Sequence, residues 1–198
     1  MTGRVPQVSL QNGRASRPRA GPEPGDDEAM TNRPRPAGAV ERDDRTVAPA
    51  PVLVRRSAVS GVLLGVAFMA AVDEIVFHQI LGWHHFFDRS TPAVGLLADG
   101  LLHTAELLLL VAGFVLFADL RRQNALAVRR FRAAVFLGAG GFKLFDGIVD
   151  HKVLRTHQIR YDVELLPYDL AWNGFALVLL VVGAVLMIRA VRADSRRR

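Results

Sequence analysis

Polar and apolar positions divide this chain into two unequal parts. Residues 1–54 mix Pro, Gly, Arg, Asp and Glu with few large apolar side chains, whereas residues 58–191 are dominated by Leu, Val, Ala, Phe and Gly. A membrane-crossing helix takes about 20 mainly apolar residues. Four stretches meet that length, at about residues 57–81, 94–118, 133–154 and 167–190. Short loops between them predict antiparallel neighbours. The first part has too little apolar surface to offset the entropy of ordering it. The pattern therefore predicts an all-α, polytopic membrane protein. Its parts are a disordered cytoplasmic segment at 1–54, a four-helix transmembrane domain at 55–192 and a basic cytoplasmic tail at 193–198. The amino terminus does not read as a cleavable signal, because its first apolar run begins only after Arg56 and is long enough to stay as an anchor.

Basic residues set the expected orientation. Arg55, Arg56, Arg121, Arg122, Arg129, Arg130, Arg132, Arg189, Arg192, Arg196, Arg197 and Arg198 fall on one side of the spans, against Arg89, Lys152, Arg155 and Arg160 on the other. The richer side is expected in the cytoplasm, with both termini, so the loops near residues 82–93 and 155–166 face outward. The arginine excess behind the formal net charge of +6 reads as the codon bias of a GC-rich genome. The arginines sit at span ends, so no nucleic-acid partner is expected. The absence of cysteine excludes disulfides, thiolate metal sites and thiol nucleophiles.

All six histidines lie between His78 and His157, and four belong to a repeat. The strings DEIVFHQILGWH at 73–84 and DGIVDHKVLRTH at 146–157 share the pattern D-x-I-V-x-H-x-[IV]-L-x-x-H at an offset of 73 residues. Spans two and four align at an offset of 70, pairing Asp99 with Asp169, His103 with Asn173 and Gly113 with Gly183. The fold expected is two tandem helical-hairpin repeats, related by an axis along the membrane normal.

Ionisable side chains at membrane depth are costly and mark functional sites. Imidazole is the commonest metal ligand, and carboxylates act as ligands or hold the ring tautomer. The metal-ligating candidates are His78, His84, His103, His151, His157, Asp73, Asp99, Asp146, Asp150 and Asp169. On α-helical geometry His78, His103 and His151 are the inner ligands, with His84 and His157 about 9 Å further out at ~1.5 Å per residue. All four polar stripes are expected to turn inward and meet. Glu106 and Lys143 are expected to form an intramembrane ion pair. The plainer alternatives are an interfacial aromatic belt at residues 83–86 and cross-helix packing by the histidines. No phosphate-binding loop or nucleophile elbow is present.

The long strings around His78, Lys143, His151 and His157 resemble a family of bacterial four-helix membrane proteins, catalogued as domain of unknown function 2243. The likeness spans about residues 58–190. One departure is Glu74, where the repeat mate Gly147 suggests glycine. The resemblance implies an integral protein of the bacterial cytoplasmic membrane and brings no established activity. Occurrence of relatives near respiratory-oxidase assembly genes implies respiratory-complex or assembly proteins as partners, beside the lipid bilayer. Residues and resemblance together lead to a transition metal (Fe, Cu or Zn) or haem, serving redox chemistry, metal handling or oxidase assembly. The rival readings are a proton-coupled or ion transporter and a structural membrane subunit. Whether the chain is an enzyme is left open.

Overall fold

The computed structural model describes residues 50–196; the rest, including all but the last few residues of the expected disordered segment and the end of the basic tail, lies outside the described residues. Four long helical elements follow one another, with no strand among the described residues. Helix α1 runs Pro51–Asp73 and continues as a π-helix over Glu74–Ile80. Helix α2 runs Pro92–Arg122. Helix α3 runs Val128–Phe145 and continues as a π-helix over Asp146–Leu154. Helix α4 runs Leu165–Ser195.

Helix starts follow local chemistry. Proline occupies the first turn of α1 and α2, where its missing N–H is no loss. The Thr91 hydroxyl accepts the amide of Val94 and caps α2. Pro51–Ile80, Pro92–Arg122 and Leu165–Ser195 are long and apolar enough to cross a membrane. The α3 element does not meet that composition, because Arg129, Arg130, Arg132, Lys143, Asp146, Asp150 and Lys152 lie along it.

Small residues decide the core. Helices α1 and α3 pack on each other at the centre; α2 lies against the α1 side and α4 against the α3 side. A Cβ on Gly65 would strike the Val135 carbonyl, and one on Gly138 would strike the Val62 carbonyl. These two contacts exchange under the 73-residue shift, so the central crossing is self-complementary. A second pair behaves alike at the flanks. Gly113 faces the Leu64 side chain and Gly183 faces Leu137. Helices α2 and α4 carry exposed rows of Leu, Val and Phe on their outer faces, such as Leu97, Leu101, Leu108, Phe114 and Val115, and Leu170, Leu177, Val178 and Val181. A water-soluble protein rarely exposes so large an apolar surface; a bilayer covers it.

The arrangement corrects one expectation. Helices α2 and α4 do not touch each other among the described residues, so four stripes do not meet on one axis. The polar centre is built mainly on α1, α3 and the loops that follow them, with Asp99 of α2 and Trp172 of α4 reaching it from either side.

Candidate metal centre

The D-x-I-V-x-H motif separates Asp and His by five residues. In an α-helix that spacing turns them about 140° apart. Bonding from i to i+5 brings them onto one face. Both copies of the motif adopt π-helical geometry, starting at Glu74 and at Asp146. His151 Nε2 accordingly lies 3.5 Å from Asp146 Oδ2, five residues back. Each π-helix ends on a left-handed residue, Gly82 at φ 56° and Arg155 at φ 53°, again at the 73-residue offset. The chain then folds back over the bundle. Trp83 N–H donates to the Phe77 carbonyl at 2.9 Å, and Thr156 N–H to the Asp150 carbonyl at 3.0 Å.

That reversal puts His84 and His157 over the helix ends rather than 9 Å beyond them. Both are buried, as are His78 and His151. The four rings make a compact quartet. His78–His84, His151–His157 and His84–His157 have centroids 4.6 Å apart; His78–His157 and His84–His151 stand at 6.1 and 6.0 Å.

Hydrogen bonds fix which nitrogens face inward. A carbonyl can only accept, so a ring nitrogen bonded to one must carry the proton. His84 Nδ1–H donates to the Ile159 carbonyl at 2.9 Å, and His157 Nδ1–H donates to the Phe86 carbonyl at 3.0 Å. Positions 84 and 157, and 86 and 159, are repeat mates, so each loop holds the other loop's histidine. His78 Nδ1 lies 2.8 Å from Glu74 Oε2 and 3.1 Å from Asp99 Oδ1. With Nδ1 engaged, Nε2 is the nitrogen that each of these three rings presents to the centre. The Nε2 atoms of His78 and His84 are buried with no partner, and His157 Nε2 lies 2.9 Å from His151 Nε2. His84, His151 and His157 each offer a ligand nitrogen within 4.8 Å of the others; Glu74, His78 and Asp99 form a second such group beside them. Burial, then neighbouring His157, His78 and His151, push the His84 pKa down to about 2, so this loop residue is neutral at physiological pH.

The other candidates fall into place around this centre. Asp146 accepts Trp172 Nε1–H at 2.9 Å and lies 3.5 Å from His157 Nε2. Asp99 is gripped by His85 Nδ1 at 2.6 Å and by the Phe86 amide at 2.7 Å. Asp73 is buried 3.8 Å from Lys143 Nζ. Asp150 is buried, and its carbonyl also takes the Thr156 hydroxyl at 3.3 Å. Asp169 pairs with Lys152 at 2.6 Å, nearer the rim. His103 is not brought to the quartet; it is about half exposed on α2 and bonds Glu106 at 2.5 Å. The reason is that α2 lies outside the α1–α3 core. Glu106 and Lys143 likewise take different partners: Lys143 stands 2.9 Å from the centroid of the Trp172 ring and faces Asp73. Sequence reasoning did not find Trp172 or the two carbonyls, and it put His85 on one face with Glu74 and His78 without counting it among the site residues. Backbone carbonyls leave no sequence signal, although the repeat offset relates them once one is known.

A cavity of about 370 Å³, lined by Gly82, Trp83, His84, His85, Asp88 and Tyr161, opens onto His84 from the loop side. Burial and the Asp88 carboxylate raise the Tyr161 phenol, which stays protonated there.

The fold and this cluster define a helical membrane protein with buried histidine and carboxylate groups able to hold a metal ion. A family model described as "Predicted membrane protein (DUF2243)" matches residues 60–190, and the chain belongs to that family. No curated protein and no solved structure matches it.

Proposed function

We propose that the chain is a four-span protein of the bacterial cytoplasmic membrane that binds one transition-metal ion in its histidine quartet and handles that ion at the outer leaflet. The observation that carries this reading is the reciprocal bonding of His84 and His157. Each donates an Nδ1–H hydrogen bond to a backbone carbonyl, which turns its Nε2 toward the centre. Metal-ligating histidines are habitually held in this way. His78, His84, His151 and His157 would supply nitrogen, and Asp146 a carboxylate within 3.5 Å of two of the rings.

Helix packing alone explains the cluster less well. A buried polar atom without a partner costs about 1–3 kcal/mol, and His78 Nε2, His84 Nε2, His151 Nδ1 and Asp73 Oδ1 are all of that kind. An ion would satisfy the Nε2 atoms together. Rings stacked at 4.6 Å leave no slot for a haem macrocycle, so the reading takes the bare-ion arm. Nitrogen-rich sites without thiolates suit Zn, Cu(II), Fe or Ni.

The same geometry supports two tandem hairpins. Central glycine contacts, π-helices, left-handed terminators and histidine–carbonyl bonds all exchange under one residue shift. The charged α3 would cross because its acid and lysine groups near Lys143–His151 face the core, where they are buried. With the arginine-rich ends inside, the quartet falls on the outer side.

The test is elemental analysis of detergent-purified full-length protein, before and after loading with Zn²⁺ or Cu²⁺, beside a His84→Ala/His157→Ala variant. About one ion per chain, lost in a variant with native helix content by circular dichroism, supports the reading. No ion in the loaded native protein sinks it.

A further inference from the structure

At the opposite end of the helices from the histidines, the start of α3 and the end of α4 enclose a second cavity. It has a volume of about 290 Å³ and is lined by Arg129, Arg132, Leu186, Arg189 and Ala190. Three arginines from two helices thus line one pocket. Their neighbour Arg130 is already neutralised, since it bonds Asp194 at 2.8 and 2.9 Å and closes α3 onto α4. Among the described residues, none of Arg129, Arg132 and Arg189 meets a carboxylate within 4.0 Å. Like charges around one pocket repel one another, and an anion seated among them relieves that repulsion.

The surroundings say which anion. Arginine matches phosphate oxygens with two parallel N–H donors. The pocket floor is apolar, through Leu186 and Ala190, and exposed Val185, Val182 and Val178 continue down the same helix into its membrane-spanning part. A charged mouth above an apolar face fits a molecule with a phosphate head and hydrocarbon tails. Basic pockets between helices at this depth are where anionic headgroups bind. We propose that this pocket binds the phosphate headgroup of an anionic phospholipid and clamps α3 to α4 through it. The proposal is independent of the metal centre.

Lipid retention measured by native mass spectrometry tests it, on full-length protein exchanged into phosphatidylglycerol or phosphatidylcholine. The site variant is Arg129→Gln/Arg132→Gln/Arg189→Gln. A charge-matched control, Arg55→Gln/Arg121→Gln/Arg192→Gln, removes three arginines from the same end. Each arginine near a headgroup contributes about fivefold in affinity. The site variant is therefore expected to hold about 100-fold less phosphatidylglycerol, and the control to hold nearly as much as the native protein. Equal loss in both variants would reduce the effect to general charge and overturn the proposal. So would equal retention of phosphatidylcholine by the native protein, or full displacement of lipid by millimolar inorganic phosphate, which would make the site one for a soluble anion. If the triple variant does not fold, Arg132→Gln alone decides in the same way, with an expected loss of about fivefold.

Discussion

His84 and His157 stack nearly parallel, with ring centroids 4.6 Å apart and planes 9° from each other, while each bonds a carbonyl of the other's loop. A proton added to His84 there would place a charge in a buried site against a stacked ring. His84 carries the clearest signature: burial and its histidine neighbours lower its pKa from 6.5 to about 2. The unfolded chain thus binds a proton below pH 6.5 that the folded chain refuses. Stability from His84 is complete above that pH and falls as pH drops through the window from 6.5 toward 2. Metal-free protein should show a thermal midpoint that declines steadily below about pH 6.5. A His84→Asn variant, starting lower, should show a shallower decline. Parallel slopes for the two proteins would contradict the assignment.

Asp146 and Asp169 are both acids of the polar region but stand in different relations to the rings. Asp146 lies 3.5 Å from His151 and from His157 and is oriented by Trp172. Asp169 answers to Lys152 near the rim. Removing a carboxylate that holds or joins a metal's ligands typically costs about 10- to 100-fold in affinity. Asp146→Asn should weaken Zn²⁺ binding by that factor in a competitive chelator titration, and Asp169→Asn by less than about threefold. The reverse order would move the ion toward α4.

The motif spacing was legible in the sequence; its meaning was not. An α-helical wheel puts Asp146 with Asp150 and turns His151 aside, because a five-residue step does not close an α-turn. The π-helix closes it, and nothing in the local composition of residues 146–154 announces a π-helix. The repeat did carry a clue, since both copies keep the same five-residue step. His84 and His157 were misplaced for a related reason. A rise per residue was extrapolated past the point where Gly82 and Arg155 turn the chain back. His103 was misplaced because a stripe on one helix does not say which neighbour the helix lacks, and α2 has α1 on one side only. Three of the four expected spans needed no such information, since length and composition suffice, whereas the charged third stretch does not meet that composition.

Gly82 and Arg155 do the same job with unequal fitness. Both hold φ near +55°, but Arg155 does so with a side chain that disfavours the left-handed region by about 1–2 kcal/mol. Part of that is returned by glycine's greater freedom in the unfolded chain. Arg155→Gly should therefore stabilise the protein by about 0.5–1 kcal/mol in denaturant unfolding from detergent. Gly82→Ala should destabilise it by a similar amount, although a Cβ there meets no atom. Destabilisation by Arg155→Gly would show that the arginine side chain matters more than the backbone.

Close approach at the central crossing makes a sharper demand. A methyl at Gly65 or Gly138 meets the partner helix's backbone, which cannot swing aside as a side chain can. Gly138→Ala should cost about 1–3 kcal/mol or prevent assembly. Gly141→Ala, one turn on and facing open space, should be neutral or slightly stabilising. Equal tolerance at the two positions, read from thermal midpoints, would mean the helices are not in this contact.

Lys143 tests the core from its charged side. The sequence set it against Glu106 across helices, but the structure gives it Asp73 at 3.8 Å and the face of Trp172, while Glu106 turns to His103. Contacting buried groups couple by about 0.5–3 kcal/mol, and groups without shared partners stay additive to within about 0.5 kcal/mol. A double-mutant cycle on Asp73→Asn and Lys143→Met should give a coupling above about 1 kcal/mol, because either single change strands a buried charge. The cycle on Glu106→Gln and Lys143→Met should stay within about 0.5 kcal/mol. The arrangement matters for the ion as well. Asp73 and Asp146 are repeat mates on facing helices, and Lys143 offsets the charge of the one that no histidine takes up at hydrogen-bonding distance. Lys143→Met should therefore leave Asp73 uncompensated near the quartet. It should weaken folding more than metal binding: a fall in the thermal midpoint of the metal-free protein, with the metal-induced rise in midpoint largely preserved. Loss of that rise with stability intact would instead make Lys143 part of the metal centre.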